Sequence, residues 1–184
     1  MMPKRDSPGF TLIELLVTVA VLAILLTLAV PSFIAFIKNS RLAAEANDLV
    51  SDLSYARAEA ARTGRRVTLC NSSTADDCDA GAGWSGGRII FSDASTYGAV
   101  DSGDEILRVS QPASGGQISI VASGFSVSAT STLNYIQFRP NGTLNSDTTG
   151  VFKICDDRTG AFGRTIEVLR TGRVSLTSTT ASCP

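Results

Sequence analysis

Twenty-one consecutive residues, Phe10 to Val30, hold a single ionisable side chain, Glu14, and no other stretch limits so tightly what the chain can fold into. As an α-helix rising about 1.5 Å per residue, the run is about 31 Å long, the thickness of a bilayer's hydrocarbon core. It predicts a membrane-spanning helix. A carboxylate within such a helix costs about 2.5–3.5 kcal/mol on insertion scales. Glu14 therefore calls for a partner cation or for a place at the interface, where it would also favour the positive end of the helix dipole. The residues alone leave both readings open.

The segment before the run, Met1 to Gly9, carries Lys4 and Arg5 and has no apolar core of its own. A conventional secretory signal has its small-residue cleavage site after the apolar segment. Here no Ala-x-Ala follows Val30, only Pro31 and a more polar stretch, so the candidate cut lies before the run. Gly9-Phe10-Thr11-Leu12-Ile13-Glu14 resembles the class III signal of type IV prepilins and pseudopilins. That resemblance implies cleavage after Gly9 by a membrane-embedded prepilin peptidase and N-methylation of the new N-terminal Phe10. It also implies that Glu14 pairs with the terminal amine of a neighbouring subunit during filament assembly. The physics agrees, because pairing a buried carboxylate with a buried ammonium relieves two desolvation penalties in one contact.

Lys4, Arg5 and the initiator amine hold the leader on the cytoplasmic side. The expected topology is a single pass through a bacterial inner membrane, with everything past Val30 in the periplasm and the protein in a pilus or pseudopilus after assembly. Cys70, Cys78, Cys155 and Cys183 form an even set suited to disulfides in an oxidising compartment. A zinc site is not expected, since the chain has no Cys-x-x-Cys and no histidine. Four cysteines allow three pairings. The preferred one joins Cys70 to Cys78 around an acidic loop and Cys155 to Cys183 at the C-terminus, worth about 2.5 and 3.5 kcal/mol by loop-closure entropy.

Four segments are expected: a leader over 1–9, a transmembrane or filament-core helix over 10–30, an amphipathic continuation over 31–63, and a β-rich globular domain over 64–184. In the continuation Leu42, Ala46, Leu49, Leu53, Ala56 and Ala60 recur every three or four residues, a seam that packs on the globular domain. Pro31 removes a backbone donor and is expected to kink or loosen the helix. Past Gly64 the period changes, and β-branched and aromatic runs separated by Gly, Ser, Asn and Asp predict strands. They cover 66–70, 88–92, 106–109, 117–121, 133–138, 151–155, 165–169 and 173–176. Asn141-Gly142 and Thr171-Gly172 are the expected hairpin turns. The fold class is α+β, a long N-terminal helix on an antiparallel β-sheet domain.

Phe138-Arg139-Pro140-Asn141-Gly142, Ile154-Cys155-Asp156 and Thr171-Gly172-Arg173-Val174 resemble the GspH/FimT group of minor pilins and pseudopilins. The resemblance implies a non-catalytic filament subunit that works with other pilins or pseudopilins and needs no cofactor. Three roles occur in the group: minor pilins that prime and cap a type IV pilus, pseudopilins of type II secretion, and DNA-binding minor pilins of natural transformation. The Cys155…Cys183 staple is similar to the FimU-like minor pilins, which favours the first. A DNA reader would resemble Gly-Arg-x-Arg near the C-terminus, whereas this chain has Gly172-Arg173-Val174-Ser175. Arg164 and Arg170 flank it, with Glu167 interleaved. Removing the leader leaves a net charge of −2, which supplies no bulk attraction to nucleic acid.

A membrane-anchored periplasmic enzyme is the reading from another class. Without histidine, Ser-His-Asp and Cys-His catalysis are excluded. The carboxylate pairs at Asp76-Asp77, Asp101, Asp104-Glu105 and Asp156-Asp157 sit in loop-like sequence. Asp101 to Glu105 is rich in oxygen ligands for calcium but lacks EF-hand spacing. Trp84, Tyr97 and Phe125 either anchor a neighbouring subunit or pin loops to the core.

Overall fold

The computed structural model describes residues 9–79, 81, 83–113, 117–126 and 135–184. One helix, α1 (Leu12–Thr63), precedes eight strands: β1 (Val67–Asn71), β2 (Arg88–Ser92), β3 (Ile106–Ser110), β4 (Ser119–Ser123), β5 (Tyr135–Phe138), β6 (Gly150–Cys155), β7 (Gly160–Val168) and β8 (Val174–Cys183). The expected α+β architecture is the observed one. The chain divides into two compact units, residues 1–38 and 39–184, so the second part of α1 belongs with the β domain.

In the first unit the helix is apolar and exposed, with Leu12, Ile13, Leu22 and Ile24 each more than half accessible. Two of its threonines are satisfied locally. Thr18 and Thr27 donate their hydroxyls to the carbonyls of Leu15 (2.9 Å) and Ile24 (2.7 Å), which removes the cost of a free hydroxyl in hydrocarbon. The helix continues on both sides of Pro31. By length and composition α1 can cross a membrane.

In the second unit, Leu42, Ala46, Leu49, Leu53, Ala56 and Ala60 are all buried, and the expected seam is the helix side of the core. Two four-stranded antiparallel sheets complete it, in the orders β3-β2-β1-β5 and β4-β6-β7-β8. One apolar cluster unites the helix seam with Leu69, Ile90 and Phe138 of the first sheet and Phe152, Ile154 and Ile166 of the second. A smaller cluster of Cys70, Ile89 and Phe91, joined by Cys78, Val100 and Tyr135, lies on the opposite face of the first sheet. Both faces of β1 and β2 are thus covered, and every residue of these strands is buried. The loops after β1 and β2 therefore act as a cover for the sheet.

Three expectations change. The closing hairpin is longer than 165–169 with 173–176, because β7 starts at Gly160 and β8 runs to Cys183. The Ser/Thr-rich run 175–182 has no apolar alternation from which a strand could be read; backbone pairing and the terminal disulfide order it instead. Gly163 permits this, since a Cβ there would lie 2.7 Å from the Cys183 sulfur. Asn141-Gly142 forms a tight turn, with Gly142 N–H donating to the Arg139 carbonyl at 2.8 Å. It closes a short hairpin, with Arg139 N–H donating to the Thr143 carbonyl at 2.8 Å, Asn145 N–H to the Gln137 carbonyl at 2.7 Å and an antiparallel bridge Phe138–Leu144, but it does not join β5 to β6, which lie in different sheets. The fourth strand lies two residues later than expected, at Ser119–Ser123. Leu133 and Asn134, expected to open β5, are outside the described residues.

Candidate functional site

Gly9 to Glu14 forms the entry to α1. Leu15 N–H donates to the Thr11 carbonyl at 3.2 Å, the first helical bond, and Glu14 N–H donates to the Thr11 hydroxyl at 3.3 Å. Thr11 is thus the N-cap and Glu14 the third helical residue, the Thr-x-x-Glu spacing of a capping box. Its side chain is placed in the first turn, four residues past Phe10, which is 81 % exposed. An exposed apolar helix with one carboxylate in its first turn is suited to lateral association in a low-dielectric medium, where a cationic partner would be held strongly.

Both disulfides have the pairing preferred from the sequence. Cys70–Cys78 closes the acidic loop after β1, and Cys155–Cys183 ties the end of β8 to β6. No cysteine is free.

The three arginines considered as a nucleic-acid contact do not converge. Arg164 lies within β7 and donates to the backbone carbonyls of Phe162, Gly163 and Thr179. Arg170 and Arg173 flank the β7–β8 turn, in which Leu169 N–H donates to the Arg173 carbonyl at 2.9 Å. Four strand residues, about 13 Å of extended chain, separate Arg164 from the strand end at Val168. Glu167 lies between them in register with Ser175.

The remaining candidates are mostly structural. Trp84 and Phe125 are buried against Phe152, at ring separations of 4.9 and 5.2 Å. Tyr97 is 48 % exposed, with the Arg66 guanidinium 4.4 Å over its ring. The Asp101 carboxylate accepts from Ser95 Oγ and Thr96 N–H, both at 2.9 Å. Hydrogen bonds from Thr96 and Ser95 hold it below the usual carboxylate range. Asp104 accepts from Ala94 N–H and Asp101 N–H. The calcium-like run is therefore occupied with shaping its own loop. Among the described residues no group of three or more His, Cys, Asp or Glu side chains is placed to hold a metal ion.

One cluster escaped the sequence reading. Arg88, at the start of β2 and 2 % exposed, pairs with Glu45 at 2.9 Å and Asp52 at 3.2 Å, both on α1. Asp52 also accepts from Ser110 Oγ at 2.8 Å and lies 3.2 Å from Arg108 Nε. The signal was present: Glu45, Leu49 and Asp52 stand at i, i+4 and i+7 on the buried stripe. Two charges there require buried counter-charge.

The helix, the two antiparallel sheets and the capped apolar entry define a pilin-like α+β subunit. Two family models match the chain. One, described as type II transport protein GspH, matches residues 45–172, well over half of its length; the chain belongs to this family of minor pilins and pseudopilins. The other is the prokaryotic N-terminal methylation motif, over residues 4–30. Among solved structures, the chain is similar to the type IV minor pilin FimU of Pseudomonas aeruginosa (TM-score 0.60, 22 % identity, covering 80 % of this chain and 96 % of that one). It is also similar to the minor pseudopilin EpsH from the type 2 secretion system of Vibrio cholerae (TM-score 0.50, 8 % identity, 75 % and 97 %). At these identities the likeness is one of fold. A search of curated proteins found no match.

Proposed function

We propose that this protein is a minor type IV pilin, a non-catalytic subunit that helps prime pilus assembly and sits at or near the pilus tip. The observation that carries the filament role is the Gly9 to Glu14 entry: a methylation motif leading into an exposed apolar helix whose carboxylate, Glu14, lies in its first turn. In this reading prepilin peptidase cuts after Gly9, Phe10 is methylated, and Glu14 pairs with the new amine of a neighbouring pilin. The helix anchors the subunit in the inner membrane, with the β domain in the periplasm, until it is drawn into the filament. The Cys155–Cys183 staple and the nearer fit to FimU than to EpsH, at TM-scores of 0.60 and 0.50, support the pilus branch.

A second reading, a pseudopilin of type II secretion, is favoured by the match to a family described as type II transport protein and by the fold shared with EpsH. Deleting the gene separates the two. Lost surface pili and twitching with intact export of secreted enzymes supports the tip pilin; intact pili with failed export supports the pseudopilin. Glu14→Val tests the assembly role, since it keeps the apolar helix and removes only the charge. The variant is expected to be cleaved yet excluded from filaments, and normal incorporation would refute the role given to Glu14. In Gly9→Leu the leader is expected to stay attached.

A further inference from the structure

Two turns at one end of the second unit are locked into a single surface. Arg57 of α1 donates Nε to the Gly142 carbonyl at 3.1 Å and Nη2 to the Thr171 carbonyl at 3.2 Å. Leu144 N–H donates to the Arg170 carbonyl at 3.0 Å, joining the turns directly. Gly172, at φ 77°, makes the approach possible, because a Cβ there would lie 1.9 Å from the Gly142 oxygen. The locked turns carry Arg139, Arg170 and Arg173, all exposed. Arg139 donates Nε and Nη2 to the side-chain oxygen of Asn145. Arg139 and Arg170 line a surface groove of about 500 Å³, together with Asn141, Thr143 and Asp147.

Arg139 and Arg170 share the groove wall and Arg173 stands in the same turn as Arg170, so the patch gathers positive charge that a complementary anionic surface would meet. Guanidinium forks fit carboxylates in two-point geometry. We infer that this two-turn patch docks a carboxylate-bearing face of the adjoining filament subunit. A nucleic acid fits less well than a protein. Its charge is uniform and negative, whereas the groove wall also carries the acidic side chain of Asp147. Three cations would also release few counterions. The identity of the occupant rests on the filament reading; the binding chemistry does not.

The test uses the full chain in detergent micelles, so its outcome is independent of the Glu14 assembly assay. Two fluorescein-labelled probes are titrated by anisotropy: a 16-residue peptide in which pairs of glutamates alternate with single lysines, and a 20-base-pair duplex DNA. The peptide is expected to bind more tightly than the duplex, R170E/R173E to weaken it at least fivefold, and R164Q to leave it within twofold. R170Q/R173Q, isosteric and without charge reversal, is expected to lose affinity in the same direction, and thermal melts of all variants check folding. Tighter binding of the duplex, no measurable peptide binding, or a loss below fivefold in R170E/R173E overturns the inference.

Discussion

Replacing Arg88 with methionine removes the cation at the centre of the buried cluster while nearly conserving volume. Asp52 is 1 % exposed and, among the described residues, would keep Ser110 and the partly exposed Arg108; Glu45, 7 % exposed, would lose the cation that now neutralises it. Breaking a buried ion pair from one side costs about 3–5 kcal/mol, because the charge left behind is unsolvated. For a domain of this size 1 kcal/mol shifts Tm by about 2–4 °C, so the variant should melt roughly 6–20 °C lower. Trp84 supplies the assay: it is the only tryptophan, is buried on Phe152, and its carbonyl accepts from Arg88 at 3.4 Å. Its fluorescence, followed through urea and thermal unfolding of the full chain in micelles, reports the loss. The apolar triple R88M/E45M/D52L should recover most of the stability, since no unpaired charge of the triad remains. R62A breaks the Glu59–Arg62 pair at 2.6 Å, in which the arginine is exposed, and should lower the melting temperature far less than R88M. A loss below about 1 kcal/mol in R88M, or a triple variant as unstable as the single one, would refute the reasoning.

Removing Cys155–Cys183, which spans 28 residues, should cost about 3.5 kcal/mol and Cys70–Cys78, which spans 8, about 2.5; paired serine variants compared by urea midpoint check the order. Asp101 has a depressed folded pKa, so its contribution is complete above the unfolded value near 3.9 and is lost as pH falls through the lower folded value. Slow amide exchange at Thr96, whose N–H donates to Asp101, should therefore persist at pH 5 and fade below about pH 4, and protection unchanged at pH 2 would count against the loop account. Gly172→Val should destabilise the domain by about 2 kcal/mol or more, through a left-handed φ and a clash with the Gly142 oxygen; a neutral urea midpoint would mean that the two turns separate freely.

Local chemistry settled what can be read one segment at a time. An apolar run with one acid and a glycine before it fix a membrane-length helix and its processing signal, because the bilayer and the cleavage motif each act on contiguous residues. The seam from Leu42 to Ala60 was legible for the same reason, as helical periodicity registers burial on one face. Non-local placement was not legible. That Asn141-Gly142 separates two sheets, that β8 extends to Cys183 through a run without apolar alternation, and that Arg164 stands apart from Arg170 and Arg173 depend on which strands pair. The same holds for Arg88, whose partners lie 43 and 36 residues away on α1. The sequence by itself determined the helix, the class of subunit and the candidate disulfides. Only the tertiary structure decided which charges are buried together and which arginines share a surface, since those energies depend on distances that close when the helix and both sheets pack.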